Sequence, residues 1–374
     1  MFLSESHLPQ VLSPAAYSDP AFYDREKSAV FAKSWHLVAV LDDLPGDGGF
    51  LTTEIADLPV VVWRDGGRCQ AFVNVCAHRF CTLTDDAKGC TRRLRCQYHG
   101  WEYDTCGDVR KIPDSQSFRP LKKGQLALTK LRTVTLGKAV LVNTELEPES
   151  TEQPSATLQQ LLTDLFTTDH GLVDRFEHKV AANWKVVVEN AVESYHVGCV
   201  HADSFAAMPT AETCQHELSE QYTKFETDFP STAPQPVQWG EKVIHRALGR
   251  EYVEKYTHYH FFPTLMISTG KMFSSMMSIE PLGPAECRLK VLLYGDPGPR
   301  RNPIAWAAFF AACTYAKKEV RKIIREDLAV LPSIQKGIQS PKLPGRGLIS
   351  VREERVNHFQ RYISSQVEDR SKLP

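Results

Sequence analysis

Two short ligand pairs, Cys76-x-His78 and Cys96-x-x-His99, stand seventeen residues apart and constrain the fold more than any other feature of the chain. Two thiolates and two imidazoles at that spacing suit a [2Fe–2S] cluster in which one iron keeps both cysteines and the other takes both histidines. Neutral imidazoles in place of thiolates lower the negative charge on such a cluster, so its reduction potential rises above that of an all-cysteine centre. The chain then reads as an electron acceptor. Zinc is the alternative, because Cys and His pairs two or three apart also describe zinc fingers and ribbons.

With 374 residues and 42% hydrophobic content, the chain can build two cores of ordinary size. Forty-four basic against 45 acidic side chains leave a formal charge of −1 with no basic block, which argues against nucleic acid and anionic membrane as partners. The stretch Met1 to His7 lacks a basic region followed by an apolar one, and no run approaches the length of a membrane span. These features read as a soluble, unexported, cytoplasmic protein. The ten cysteines read as two ligands plus scattered buried thiols, without a disulfide framework.

Residues 18–35 are expected to form a helix, capped by Asp19 with Pro20 in its first turn. β-branched runs follow at Leu37 to Leu41, Val60 to Trp63, Ala71 to Val75 and Ala139 to Val142, separated by Gly-rich turns. They describe a small β domain whose ligand pairs fall in loops after strands, where two hairpin tips can converge. Glu147 to Ser155 is polar, carries two prolines and reads as a linker. Beyond it, helices are expected over Leu158 to Phe166 and Trp184 to Val197, and strands over Met266 to Ser268, Met276 to Ile279 and Leu289 to Tyr294. A long helix capped by Asn302, with Pro303 in its first turn, should run to about Leu331.

Both ligand pairs carry the flanks of a Rieske hairpin, with Arg79 after the first histidine and Gly100-Trp101 after the second. On these residues the chain resembles the Rieske non-haem iron oxygenases, specifically their catalytic alpha subunit, and the likeness extends over nearly the whole sequence. In the respiratory Rieske branch a disulfide joins the two loops. Here Cys81 could fill the first position, but Tyr98 occupies the second, so no such bridge can close. The resemblance implies an α+β protein: an N-terminal Rieske β domain and a C-terminal helix-grip (START-like) catalytic domain, its antiparallel sheet wrapped around a long helix. The expected limits are 1–36 for an N-terminal helical segment packing with the catalytic domain, 37–148 for the Rieske domain and 149–374 for the catalytic domain.

His196 and His201 lie five residues apart, which overshoots one helical turn, so their rings converge only if the helix distorts or ends; Gly198 permits a break. Alone, that pair is weak. Asn183-Trp184-Lys185, Glu189-Asn190 and Glu193-x-x-His196 stand in the order of the family's mononuclear iron motif, and the resemblance then selects Asp327 as third ligand, from the acidic pair Glu326-Asp327 with Gln335 and Gly337 behind it. Two histidines and a carboxylate form a facial triad that leaves coordination positions open. Without the resemblance, Asp327 reads as a solvated charge paired with a neighbour such as Arg325. Glu193 and Asn190 are the candidate catalytic residues. The resemblance gives Glu193 an electron bridge from His99 of one subunit to His196 of the next, and its glutamate length resembles the quaternary-amine branch; the alternative is a surface salt bridge. Trp184, Glu189 and Tyr195 are candidates for the surroundings of the iron, with core packing an equal reading for Trp184. Tyr259, His260, Phe261, Phe262, Met272, Phe273 and Met276 are candidate pocket residues, against plain core.

The resemblance implies a terminal oxygenase with a [2Fe–2S] cluster and a mononuclear Fe(II). It would take electrons from a separate NAD(P)H-dependent reductase carrying flavin or iron–sulfur, since no Gly-x-Gly-x-x-Gly follows a strand here. A head-to-tail homotrimer, a small-molecule substrate and O2 complete the expectation. The favoured reaction is monooxygenation of an aliphatic C–H near a quaternary amine. Alternatives are cis-dihydroxylation of an aromatic ring and, in a different class, a Rieske electron carrier or ligand-binding protein without oxygenase activity.

Overall fold

The computed structural model describes residues 2–122, 124–146, 153–205, 209–228, 235–247, 254–270, 272–296, 303–343 and 347–367. By its contacts the chain divides into one unit of residues 1–30 with 168–374 and another of residues 31–167. The first unit opens with strand β1 (Leu8–Pro9) and helix α1 (Pro20–Glu26). Asp19 caps α1 by accepting from Ala21 N at 2.9 Å, and Pro20 takes the first helical position. The helix expected over 18–35 is shorter than the sequence suggests. A π turn over Lys27–Phe31 carries the chain out of it, and Trp35 already belongs to a strand.

The unit of residues 31–167 contains β2 (Trp35–Val40), β3 (Gly49–Ile55), β4 (Leu58–Asp65), β5 (Arg68–Val73), β6 (Lys88–Cys90), β7 (Arg93–Arg95), β8 (Glu102–Asp104), β9 (Val109–Lys111), β10 (Lys130–Leu136), β11 (Ala139–Asn143) and helix α2 (Ala156–Leu165). Seven strands pair in the order β2-β11-β10-β5-β4-β3-β6, and β7-β8-β9 form a separate three-stranded sheet. Both faces of β4 are buried, which accounts for its unbroken apolar run. Val61 and Trp63 pack with Phe72, Leu94, Trp101 and Tyr103, while Val60 and Val62 pack with Ala39, Ala71, Val140 and Val142. Cys76 and Cys96 lie inside the first of these clusters. Helix α2 also belongs to this unit rather than to residues 149–374: Lys138 N donates to Phe166 O at 2.8 Å, and a Cβ on Gly137 would lie 2.3 Å from Leu162 O. The expected linker falls largely on residues 147–152, outside the described residues.

The remaining elements are β12 (Gly171–Val180), α3 (Trp184–Ala191), α4 (Val197–Val200), β13 (Cys214–Leu218), β14 (Tyr222–Asp228), α5 (Gln235–Ala247), β15 (Lys255–Phe261), β16 (Leu265–Thr269), β17 (Phe273–Gly283), β18 (Glu286–Gly295), α6 (Pro303–Ile338), β19 (Leu348–Ile349) and α7 (Glu354–Val367). Seven of these strands make one antiparallel sheet in the order β12-β18-β17-β16-β15-β14-β13. Paired register aligns Asp174, Leu293, Ser275, Ser268, His258, Phe225 and His216 in a row across it, and cross-strand partners share a face. Arg321 of α6 bonds both carboxylate oxygens of Asp174, at 2.6 and 2.9 Å, so the long helix covers that face. This is the expected grip of sheet around helix. Helix α6 runs through Pro332 to Ile338, past the end expected at Leu331; its proposed cap, Asn302, lies outside the described residues.

Both ends of the described chain fasten within the first unit. Strand β1 pairs with β19, Glu354 accepts from Leu3 N and Ser4 N, and Gln360 accepts from Val11 N. None of the ten cysteines is in a disulfide, and Cys90, Cys106 and Cys199 are exposed rather than buried as the sequence reading held. Among the described residues, no helix is long and apolar enough to cross a membrane.

Candidate metal centres

Two loops of matching construction present the first candidate ligand set. Cys76 N donates to Cys81 O at 2.8 Å and Phe80 N to Cys76 O at 3.1 Å; Cys96 N donates to Trp101 O at 2.8 Å and Gly100 N to Cys96 O at 3.0 Å. The fifth residue of each loop is left-handed, Phe80 at φ +59° and Gly100 at φ +70°. Each loop thereby turns its cysteine inward, and Cys76 and Cys96 are 1% and 2% exposed. Tyr103 Oη accepts from Ala77 N at 3.0 Å, which leaves its hydrogen to point at Cys76 Sγ, 3.1 Å away. Burial pushes the Cys76 thiol pKa up, and the Tyr103 hydroxyl opposes that shift. The His78 ring stacks on Trp101 with centroids 5.0 Å apart, Phe118 lies edge-on to both, and His99 stands 4.5 Å from His78. Tyr103 and Phe118 were not singled out from sequence; the position of Tyr103, in phase with Trp101 on the next strand, was the available signal.

The second set is assembled from distant segments. Helix α3 stops at Ala191 instead of continuing to Val197, because the Glu193 carboxylate takes the N–H groups of Tyr195 and of His196 (3.2 Å) outside the helical ladder. One short turn, α4, then separates the two histidines. His196 Nε2 and His201 Nε2 lie 3.3 Å apart. Asp327 Oδ1, from α6, is 3.4 Å from the first and 3.1 Å from the second. These three residues offer ligand atoms that all lie within 4.8 Å of one another.

Two further carboxylates set the imidazole tautomers. A carboxylate only accepts, so His196 Nδ1–H donates to Glu193, and His201 Nδ1–H donates to Glu326 Oε2 at 2.8 Å. In the neutral rings both Nε2 lone pairs are then directed at the common point, the usual orientation of metal-bound histidine. Ser204 Oγ holds Glu326 at 2.8 Å. Burial favours neutral rings, yet Asp327 and Glu193 outweigh it and push His196 up to about 9; His201 rises for the corresponding reasons with Asp327 and Glu326. Asp327 is held low by the two histidines despite burial. The sequence reading passed over Glu326 in favour of its neighbour. Adjacent helical residues diverge by about 100°, so one of the acidic pair meets the triad and the other reaches behind His201.

Other candidates go elsewhere. Trp184 is fully buried and donates to Glu26 Oε2 at 3.2 Å, while Lys185 pairs with Glu26 at 2.7 Å, so these two residues anchor α3 to α1. Glu189 accepts from Tyr17 Oη and, at 3.1 Å, from Gln360 Nε2; burial lifts its pKa to about 7. Asn190 is half-buried on α3 and makes no hydrogen bond to the triad, and Tyr195 is exposed. Gln335 does take part in positioning: it accepts from Asn183 N at 2.8 Å and donates to Tyr17 O at 3.0 Å, tying α6 to the start of α3. Met272 and Phe273 pack with Phe309 and Cys313 as core, and His260 donates to Pro263 O at 2.8 Å beneath Phe262 and Phe359.

Both sets fit metals by a direct test. Among the described residues His78 Nδ1 is buried without a hydrogen-bond partner, an arrangement that costs free energy unless a cation satisfies it, and Asp327 Oδ1 faces both histidine Nε2 atoms where a cation would take the place of their protons. A family model described as "Ring hydroxylating alpha subunit (catalytic domain)" matches residues 168–369, and one described as "Rieske [2Fe-2S] domain" matches residues 34–132. The chain belongs to the ring-hydroxylating alpha-subunit family. As such an alpha subunit it is an oxidoreductase whose cofactors are a Rieske [2Fe–2S] cluster and a mononuclear iron, and the zinc reading falls away.

The alpha subunit is 25% identical to chloroplastic choline monooxygenase of Spinacia oleracea over 356 residues, covering 92% of this chain and 75% of that protein. It is 30% identical to the glycine betaine monooxygenase oxygenase subunit of Chromohalobacter salexigens over 188 residues, 50% of this chain and 42% of that one. Its fold is that of the quaternary ammonium Rieske monooxygenase CntA, with a TM-score of 0.76 at 20% identity over 97% of this chain and 96% of that chain. It is equally that of naphthalene 1,2-dioxygenase from Rhodococcus sp., with a TM-score of 0.75 at 18% identity over 98% and 95%.

Proposed function

We propose that this alpha subunit is a monooxygenase that hydroxylates a C–H bond beside a quaternary nitrogen in a small substrate, in the cytoplasm. The observation that carries the reading is Glu193, a glutamate bonded to His196 Nδ1 at the edge of the His/His/Asp group. The similarity to choline and glycine betaine monooxygenases supports the substrate class. In this reading Cys76, His78, Cys96 and His99 hold the cluster, and His196, His201 and Asp327 hold the iron. The iron supplies the dioxygen chemistry when bound, through the positions that a facial triad leaves open.

The chain's own residues do the rest. Glu193 and Glu326 hold the imidazole tautomers, Gln335 holds α6 against α3, and Tyr103 supports the Cys76 sulfur. Electrons come one at a time from a separate NAD(P)H-dependent reductase. In a head-to-tail trimer they pass from His99 of one subunit through Glu193 to His196 of the next, a hydrogen-bonded route for which the Glu193–His196 contact is one half.

The reading is tested by oxygen uptake with a surrogate reductase and a panel of quaternary amines under labelled O2. A single labelled atom in a hydroxylated amine supports it. Two labelled atoms in an aromatic diol, with the amines inert, would replace it with ring dihydroxylation. Three irons per chain, two for the cluster and one for the triad, is the expected metal content.

A further inference from the structure

Arg355, the second residue of α7, is 2% exposed, and among the described residues no acid pairs with it. Its Nε donates to Thr223 Oγ1 at 3.1 Å, and its Nη2 donates to His258 Nδ1 at 3.0 Å and, more distantly, to His258 O at 3.5 Å. Nη1 has no hydrogen bond among the described residues. The neighbouring acid cannot neutralise it, because Glu354 is committed to Leu3 N, Ser4 N and His216 Nδ1. Burial lowers the Arg355 pKa to about 9, which still leaves the group charged at neutral pH. A buried guanidinium without a counter-anion is costly and calls for one.

His258 adds a second donor. A guanidinium only donates, so the imidazole must accept at Nδ1 and carry its hydrogen on Nε2. Burial and the Arg355 charge hold the ring neutral, with its pKa well below the ordinary value. That Nε2–H is itself buried and has no partner among the described residues. A neutral N–H and a charged guanidinium arm, both lacking acceptors, are complementary to a carboxylate.

The pair also sits on the face that matters. His258 lies in the cross-strand row with Ser268, Ser275 and Asp174, whose β12 end meets Arg321 of α6, and α6 carries Asp327. Tyr256 stacks on the His258 ring with centroids 6.4 Å apart. Beyond burial and a bond to Ser268, its phenol is influenced from both sides, lowered by Arg355 and raised by Asp327.

We propose that Arg355 Nη1 and His258 Nε2–H form a carboxylate-binding subsite on the sheet floor, so that the substrate is a zwitterion carrying a carboxylate as well as its quaternary nitrogen. This rests on the amine reading above and narrows it, favouring a betaine-type acid over an amino alcohol. Arg355 is a specificity residue in this account and takes no part in the oxygen chemistry.

The test compares glycine betaine with choline, which share a trimethylammonium group and differ in the carboxylate. The iron-loaded protein should turn over the acid with kcat/KM about 100-fold above the alcohol. Arg355→Gln should abolish that preference at unchanged iron content and cluster absorption, and Arg355→Lys should restore part of it. In parallel, propionate should raise the melting temperature of the unmodified protein and compete with the amine, whereas chloride at equal ionic strength should not. If Arg355→Gln fails to fold, the substrate pair and the propionate measurement decide on the unmodified protein alone. Equal or better use of choline together with no effect of propionate would overturn the subsite, as would chloride acting as well as propionate. Propionate binding without turnover of either amine would leave the subsite standing and sink the amine reading instead.

Discussion

The two candidate metal centres are held by opposite strategies. Around Cys76, His78, Cys96 and His99 the backbone does the positioning: two loops close on themselves through paired N–H···O bonds, and every candidate ligand lies within a stretch from 76 to 99. Around His196, His201 and Asp327 side chains do it. Glu193 and Glu326 orient the rings, and the third candidate ligand arrives on a helix 126 positions after the second. A local centre is robust to distant change, whereas a centre assembled from afar depends on each carboxylate and each packing tie that fixes the segments.

The most severe break of that contrast is His201→Ala. It should reduce turnover to background and remove one iron per chain while the cluster's visible absorption stays intact; loss of both signals together would mean that the two centres are not independently held. Glu326→Ala touches no metal directly, and should still cost about 10–100-fold in iron affinity or activity, the usual penalty for losing a carboxylate behind a ligating histidine. Equilibrium dialysis of iron measures this, and wild-type affinity would show that the helix places Asp327 without help.

The long-range ties predict an acid dependence as well. Glu354 is buried, which alone would raise its pKa, but His216 and the N–H groups of Leu3 and Ser4 pull it down to about 2. The neutral His216, itself lowered by burial, acts here as a hydrogen-bond donor rather than as a cation. Because the folded pKa is depressed, the stabilisation is fully present above the unfolded value near 4.5 and is lost as pH falls toward 2. Glu354→Gln should therefore lower stability at pH 7 by on the order of 2–3 kcal/mol and flatten the acid limb of the denaturation profile.

The smallest effects sharpen the local side. Gly100→Ala forces a Cβ into a left-handed position and to 3.0 Å from Arg95 Nη2, at a cost of about 1–2 kcal/mol. Phe80→Gly at the matching position should be close to neutral by chemical denaturation, because relief of the left-handed backbone offsets the greater freedom of the unfolded chain.

The same contrast explains what could be read without coordinates. Four candidate ligands inside 24 residues form a pattern that spacing alone exposes, down to Tyr98 excluding a disulfide. The His196–His201 interval announced a broken helix, but not where it breaks. Gly198 was the visible breaker, whereas the helix ends earlier because a Glu193 side chain competes for backbone donors. Asp327 became legible only through family likeness, since no periodicity links positions on separate elements. Strands β13 and β14 escaped because their inward row mixes Thr223, Phe225, Thr227 and His216, a pattern in which polarity does not alternate with burial. Helix α7 was missed along with them, and with it Arg355.

Residues 31–167 interrupt a unit whose opening segment, residues 1–30, is kept in place by β1–β19 pairing, the Glu354 carboxylate, the Gln360 amide and the Glu26–Lys185 ion pair. The redox module is thus an insert with two covalent attachments, and the half that precedes it is clasped by the half that follows. A single protease cut inside the insert should leave two fragments that co-purify, while trimming the first few residues, for example to place an affinity tag, should weaken the iron-bearing fold from which they are so far removed in sequence.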